Sequence, residues 1–139
     1  MSESTMSLAT AKVKDYMTSN LITVSPDTAI DSAVNILVKY KISGLPVVDE
    51  QGHLCGMLSE KDCLQVFVKA LYNQGHAGEV RDFMTDQVAT VVADMSLTDV
   101  ATKFINEPFK RFPVLSEQGA LVGQISRADV LRAIDLLSY

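Results

Sequence analysis

The sequence predicts a mixed α/β (α+β) fold: two tandem β-α-β-β-α repeats packed about a pseudo-twofold axis into one module. Two observations carry this expectation. Val13-Lys14-Asp15-Tyr16-Met17-Thr18 returns as Val80-Arg81-Asp82-Phe83-Met84-Thr85, Pro46-Val47 as Pro113-Val114, and Ser59 with Asp62 as Ser126 with Asp129. The offset is constant at 67 residues, as in 80 − 13 and 126 − 59. Within each half, short β-branched runs alternate with apolar stripes of helical period and with turn residues. The reading divides the chain into an N-terminal tail at 1–12, a first repeat at 13–72, a linker at 73–79 and a second repeat at 80–139.

The first repeat opens with a short helix or lead-in segment over Ala11–Met17. Leu21-Ile22-Thr23-Val24 reads as a short strand. Ser25-Pro26-Asp27 supplies a capping side chain and an early proline, both signals that a helix begins. Ile30, Ala33, Val34, Leu37 and Val38 then trace one helical face. Leu45–Val48 and Leu54–Leu58 flank the turn residues Asp49-Glu50-Gln51-Gly52 and predict an antiparallel hairpin. Ser59 is the expected cap of a second helix that turns Cys63, Leu64, Phe67, Val68 and Leu71 inward.

The second repeat replays this order. Val88–Val91 is the strand, Leu97, Val100, Ala101, Phe104 and Ile105 the stripe, and Phe112–Leu115 with Leu121–Ile125 the hairpin. Val130, Leu131 and Ile134 face inward on the last helix. Pro108 cannot continue a helix, so the preceding one stops near Asn106. Each half, at about 60 residues, buries little alone, so the halves are expected to share a core.

At 139 residues, with 47% hydrophobic and 21% charged content, the chain reads as one globular, soluble domain. The net charge of −5 argues against a phosphate-backbone binder, which needs basic surface to release counterions. No apolar run approaches the ~20 residues of a membrane span. The N-terminus lacks a signal peptide's basic start and apolar core, so the cytoplasm is the expected compartment. Cys55 and Cys63 read as reduced thiols, and His53 and His76 do not stand at metal-ligand spacing. No nucleophile–base arrangement or phosphate-binding glycine loop points to an enzyme.

These residues resemble a family. Gly44–Asp49 and Gly56–Asp62 carry the strings Gly-Leu-Pro-Val-Val-Asp and Gly-x-x-Ser-x-x-Asp, and Arg111–Leu115 with Gly123–Asp129 repeat them more weakly. The chain therefore resembles a tandem pair of CBS domains (a Bateman module), here free-standing. The resemblance implies a sensor without catalysis that binds AMP, ADP, ATP or an S-adenosylmethionine-type ligand in clefts between its repeats. It further implies a homodimer that regulates an unidentified partner protein. The other readings are a dimerisation or interaction scaffold with idle clefts and, more weakly, a nucleic-acid binder.

Under that resemblance, Ser59 with Asp62 and Ser126 with Asp129 are the candidate ribose sites. A carboxylate in the first turn of a helix can accept two hydroxyl hydrogen bonds from a ribose diol. The serine hydroxyl and the free N–H groups of the helix start suit a phosphate. The same Ser-x-x-Asp pattern is also a variant capping box that satisfies only the helix. Lys110-Arg111 precedes a strand where family members place phosphate-holding residues; the alternative is a solvated basic pair. The matching Ser43-Gly44 is uncharged, so the clefts should be unequal. The resemblance places adenine against Leu21, Ile22, Ile42 and Ser43 with Asp129, and against Val88, Ala89 and Phe109 with Asp62 and the basic pair. Gln124 in place of Met57, and Glu107-Pro108 near the supposed phosphate, depart from the pattern.

Overall fold

The computed structural model describes residues 7–72 and 78–137. Residues 73–77 of the expected linker, His76 among them, and the first six residues of the tail lie outside the described residues. The elements run α1 (Val13–Tyr16), α2 (Ile30–Tyr40), β1 (Gly44–Val48), β2 (Leu54–Ser59), α3 (Glu60–Tyr72), a 3-10 turn at Val80–Asp82, β3 (Val91–Val92), α4 (Leu97–Asn106), β4 (Arg111–Leu115), β5 (Leu121–Ser126) and α5 (Arg127–Leu137). Both expected hairpins form: β1 pairs antiparallel with β2, and β4 with β5. Gly52 and Gly119 sit at positive φ in the two hairpin loops, where a side chain would strain the backbone. Among the described residues no helix is long and apolar enough to cross a membrane.

The compact units do not follow the repeats. One unit holds the described residues up to Leu21 together with those from Ala89 onward, and the other runs Ile22–Val88. Each lead-in segment thus belongs with the body of the opposite repeat. In the first unit the Val13 and Lys14 N–H groups donate to the Met95 and Ala93 carbonyls. In the second, Val80 and Arg81 donate to Thr28 and Pro26. Thr18 exchanges backbone hydrogen bonds with Gln124, and Thr85 does the same with Met57.

These pairings explain the glycine of each motif. A Cβ on Gly56 would sit 2.6 Å from the Thr85 carbonyl oxygen, and one on Gly123 would sit 2.9 Å from the Thr18 carbonyl oxygen. Only glycine lets the lead-in backbone come so close.

The buried residues form two clusters instead of one shared core. One joins Ala11 and Val13 to Val91, Leu97, Val100, Phe104, Phe112, Val114, Ile125, Val130 and Ala133. The other joins Val80 and Phe83 to Val24, Ile30, Ala33, Leu37, Leu45, Val47 and Leu58. Each cluster still draws on both repeats, because the lead-ins are exchanged.

Three local expectations are corrected. The strand at 21–24 shrinks to a single bridge between Val24 and Val47, and its counterpart is the two-residue β3, parallel to β4. Ser25 closes a turn with Thr28 and does not cap α2; the helix starts at Ile30 after Ala29, which offers no capping side chain. Most of the expected apolar face of α3 does not point inward: Cys63 packs against the second cluster, but Leu64, Phe67, Val68 and Leu71 are 51–68% exposed, and no residue of α3 is fully buried. Val38, Ile105 and Leu131 are exposed too, and Ile134 is 40% exposed.

Candidate functional site

Both Ser-x-x-Asp pairs close as reciprocal caps at a strand-to-helix junction. In the second unit the Ser59 N–H donates to Asp62 Oδ2 at 2.9 Å, and the Asp62 N–H donates to Ser59 Oγ at 3.0 Å. In the first unit Ser126 and Asp129 repeat this at 2.8 and 3.1 Å. The capping box is therefore real at both positions, and it orients each carboxylate. One oxygen holds the backbone and the other, Oδ1, turns to other partners.

Those partners differ. Asp62 is half-buried, and its Oδ1 meets the Thr85 hydroxyl at 3.5 Å, too long for a strong hydrogen bond. Asp129 is only 8% exposed, and its Oδ1 accepts from Arg132 Nη1 at 3.0 Å. Arg132 also donates from Nη2 to the Tyr16 carbonyl at 3.2 Å and lies 5.9 Å from the Tyr16 ring centroid.

Lys110 and Arg111 adjoin the Ser126 tip through the backbone. Arg111 lies opposite Ser126 in the β4–β5 ladder, and the Arg127 N–H donates to the Lys110 carbonyl. Both basic side chains are exposed. In the second unit Gly44 lies opposite Ser59, and the Glu60 N–H donates to the Ser43 carbonyl. Glu107 is tied back to Lys103 at 2.7 Å, which removes much of its claim as a charge near a phosphate.

Of the expected apolar walls, Leu21, Val88 and Ala89 are half-buried and Ile22 is 37% exposed. Ile42 is half-buried against the second cluster, Ser43 is exposed, and Ala89 packs on the first cluster. Phe109 stands edge-on to Phe112 with ring centroids 5.9 Å apart.

Sequence reasoning missed Arg132 and Thr85. Arg132 was within reach, since a charge three residues after Asp129 shares its helix face. Thr85 came to light only through the exchanged lead-in. Burial raises both thiol pKa values above the ordinary cysteine value, with Asp49 adding to the effect at Cys55 and Asp62 and Glu60 at Cys63. Both thiols are thus protonated at neutral pH and weak nucleophiles.

Residues 13–69 and 80–136 each match the CBS domain. The chain belongs to the CBS domain family.

Its relatives include the inosine-5'-monophosphate dehydrogenase of Methanocaldococcus jannaschii, 31% identical over 89% of this chain but only 24% of that enzyme. CBS domain-containing protein CBSX2, chloroplastic, of Arabidopsis thaliana is 30% identical over 87% of this chain and 62% of its own length. The chain thus spans about a quarter of the dehydrogenase and under two thirds of the plant protein. Among solved structures, CBSX2 in complex with AMP superposes with a TM-score of 0.80 at 33% identity, covering 93% of this chain and 99% of that one. The CBS domain pair of protein MJ0100, in complex with 5'-methylthioadenosine and S-adenosyl-L-methionine, gives 0.69 at 30% identity, covering 90% and 96%. Relatives of this chain thus bind adenosine compounds, and the matched part of the dehydrogenase is its CBS region.

Proposed function

We propose that the chain is a regulatory, non-catalytic sensor that binds an adenosine-containing ligand of the AMP, ADP, ATP or S-adenosylmethionine type and modulates a partner protein. The observation that carries this is the oriented carboxylate. At each helix tip the cap holds one aspartate oxygen and fixes the carboxylate. The second oxygen faces the Thr85 hydroxyl at 3.5 Å in Asp62 and accepts from Arg132 in Asp129, and it is this second oxygen that a ribose diol would engage. Two relatives bound to adenosine compounds support it. Ser59 and Ser126 complete the two tips. Lys110 and Arg111 are the proposed phosphate holders, and Leu21, Ile22, Ile42, Ser43, Val88 and Ala89 the proposed ring walls. The basic pair gives the cleft it reaches, the one assigned to Asp62, Val88 and Ala89, the stronger phosphate field. A ligand of this kind regulates only through different affinities for two states of the protein.

The test is calorimetric and thermal titration with AMP, ADP, ATP and S-adenosylmethionine. A ligand present at a hundredfold excess over Kd stabilises the folded state by about 2.7 kcal/mol, a rise of several degrees in Tm. Asp62→Ala is expected to weaken that ligand by about tenfold or more, the cost of a charge-assisted hydrogen bond. No shift with any of the four compounds at millimolar concentration defeats the reading.

The exposed helix faces favour a homodimer. Val34, Leu37, Val38, Cys63, Leu64 and Phe67 line an apolar groove in the second unit. The residues 67 positions later, Ala101, Phe104, Ile105, Val130, Leu131 and Ile134, line its counterpart in the first. A second copy of the chain offers the same surface in return, as a two-fold interface demands. Phe67→Glu with Leu131→Glu is expected to convert a dimer to a monomer in light-scattering measurements. Because both side chains are exposed, the fold should survive. A wild-type chain that is monomeric at all concentrations refutes this part.

A further inference from the structure

We infer that Arg132 acts as a latch on Asp129, so that the two aspartates are unequal and Asp62 is the tighter ligand carboxylate. The inference rests on the adenosine reading above and adds the rule that ranks its two sites. Asp129 has both oxygens engaged, Oδ2 by the Ser126 N–H at 2.8 Å and Oδ1 by the Arg132 guanidinium at 3.0 Å. A bond between two charged groups is about twice as strong as a neutral one, so a ribose hydroxyl competes poorly for Oδ1. Arg132 is not loose either. Its second nitrogen is held by the Tyr16 carbonyl, and its plane lies within cation–π range of the Tyr16 ring.

The second unit has the same frame without the latch. The position 67 residues before Arg132 is Gln65, which is exposed and uncharged, and Tyr16 is matched by Phe83. Among the described residues the group facing Asp62 Oδ1 is the Thr85 hydroxyl at 3.5 Å. A ribose diol displaces a long neutral contact more easily than a guanidinium. A ligand phosphate that drew Arg132 away would expose Asp129, so filling the second site requires Arg132 to leave Asp129 Oδ1.

The experiment is calorimetric titration of the full chain with AMP, in wild type and in Arg132→Gln, Arg132→Lys, Gln65→Arg and Asp62→Asn. Far-UV circular dichroism checks that each variant is folded. Wild type is expected to bind one AMP per chain tightly and a second about tenfold more weakly. Asp62→Asn should remove the tight event. Arg132→Gln should strengthen the weak event by about twofold to fivefold, the range of a partly exposed ion pair. Arg132→Lys, which keeps the charge, should leave it weak, and Gln65→Arg should weaken the tight event. A merely structural Arg132 would lower Tm without changing the ratio of the two events. Two equal events in wild type, or an unchanged weak event in folded Arg132→Gln, overturn the latch and leave the adenosine reading standing. Silence in wild type and every variant overturns that reading and the latch with it.

Discussion

The unit built around Phe112 and the unit built around Leu45 follow one template with different side chains in it. Phe104, Phe109 and Phe112 in the first stand where Leu37, Ile42 and Leu45 stand in the second. Phe104 and Phe112 stack with centroids 4.6 Å apart, and Phe109 meets Phe112 edge-on. The last helix of the first unit, α5, buries Asp129, Val130 and Ala133, whereas α3 buries nothing. The first unit thus has the more aromatic core, and its aspartate is buried and closed by an ion pair. The second keeps its aspartate half open. Duplication fixes where the backbone goes, and the substitutions since decide how tightly each copy shuts.

That contrast is tested most strongly in the cores. Phe112→Ala removes a fully buried ring that packs on two others, and is expected to cost about 3–5 kcal/mol in urea denaturation. Leu45→Ala, at the equivalent buried position, should cost less, at the lower end of about 2–5 kcal/mol. If Leu45→Ala proves the more damaging, the aromatic unit is not the firmer one.

The helix starts give a smaller and more discriminating contrast. Ser96 Oγ accepts from the Asp99 N–H at 3.0 Å and caps α4, while the equivalent Ala29 leaves the start of α2 without a side-chain cap. Ser96→Ala should therefore cost about 1 kcal/mol, and Ala29→Ser should gain about 0.5–1 kcal/mol. Both are readable as opposite shifts in the denaturation midpoint at constant slope. A loss from Ala29→Ser would mean that the Ala29 backbone, bridged to Glu79, holds a conformation a serine cap does not fit.

Much of this was legible before any coordinates. The offset of 67 located both hairpins and both Ser-x-x-Asp caps, because a turn and a cap are local devices whose partners lie within a few residues. The exchange of the lead-ins was not legible. Val13–Thr18 could pair as well with either hairpin, and the choice of Gln124 over Met57 depends on chain paths that no local pattern records. The outward face of α3 failed for a related reason: periodicity shows that a stripe is apolar, not what covers it. Ser25 misled because Ser-Pro-Asp serves a turn as readily as a helix start. Asp129 was found from its repeat, yet its partner Arg132 was overlooked although it lies on the same helix face. Charge pairs show in a sequence only when both members are considered.

The smallest expected effect lies in the ion pairs that pin the lead-ins. Lys14 meets Asp94 at 2.9 Å in the first unit, and Arg81 meets Asp27 in the second; the residues correspond at the offset of 67. The hydrogen bond to Asp94, aided by its charge, raises Lys14 above the ordinary 10.5, and the same bond lowers Asp94 below 3.8. The lysine's contribution is therefore complete below pH 10.5 and lost as pH rises through its folded value. The aspartate's is complete above pH 3.8 and lost as pH falls through its own. Between those limits the Tm difference between wild type and Lys14→Ala should be small and flat, and it should shrink in about 1 M salt because both groups are exposed. Arg81→Ala should cost more, since its guanidinium also holds Glu79 at 3.1 Å and is lost from two partners at once. A Lys14→Ala deficit that persists unchanged in high salt would mean that the aliphatic stem, and not the charge, pins the lead-in.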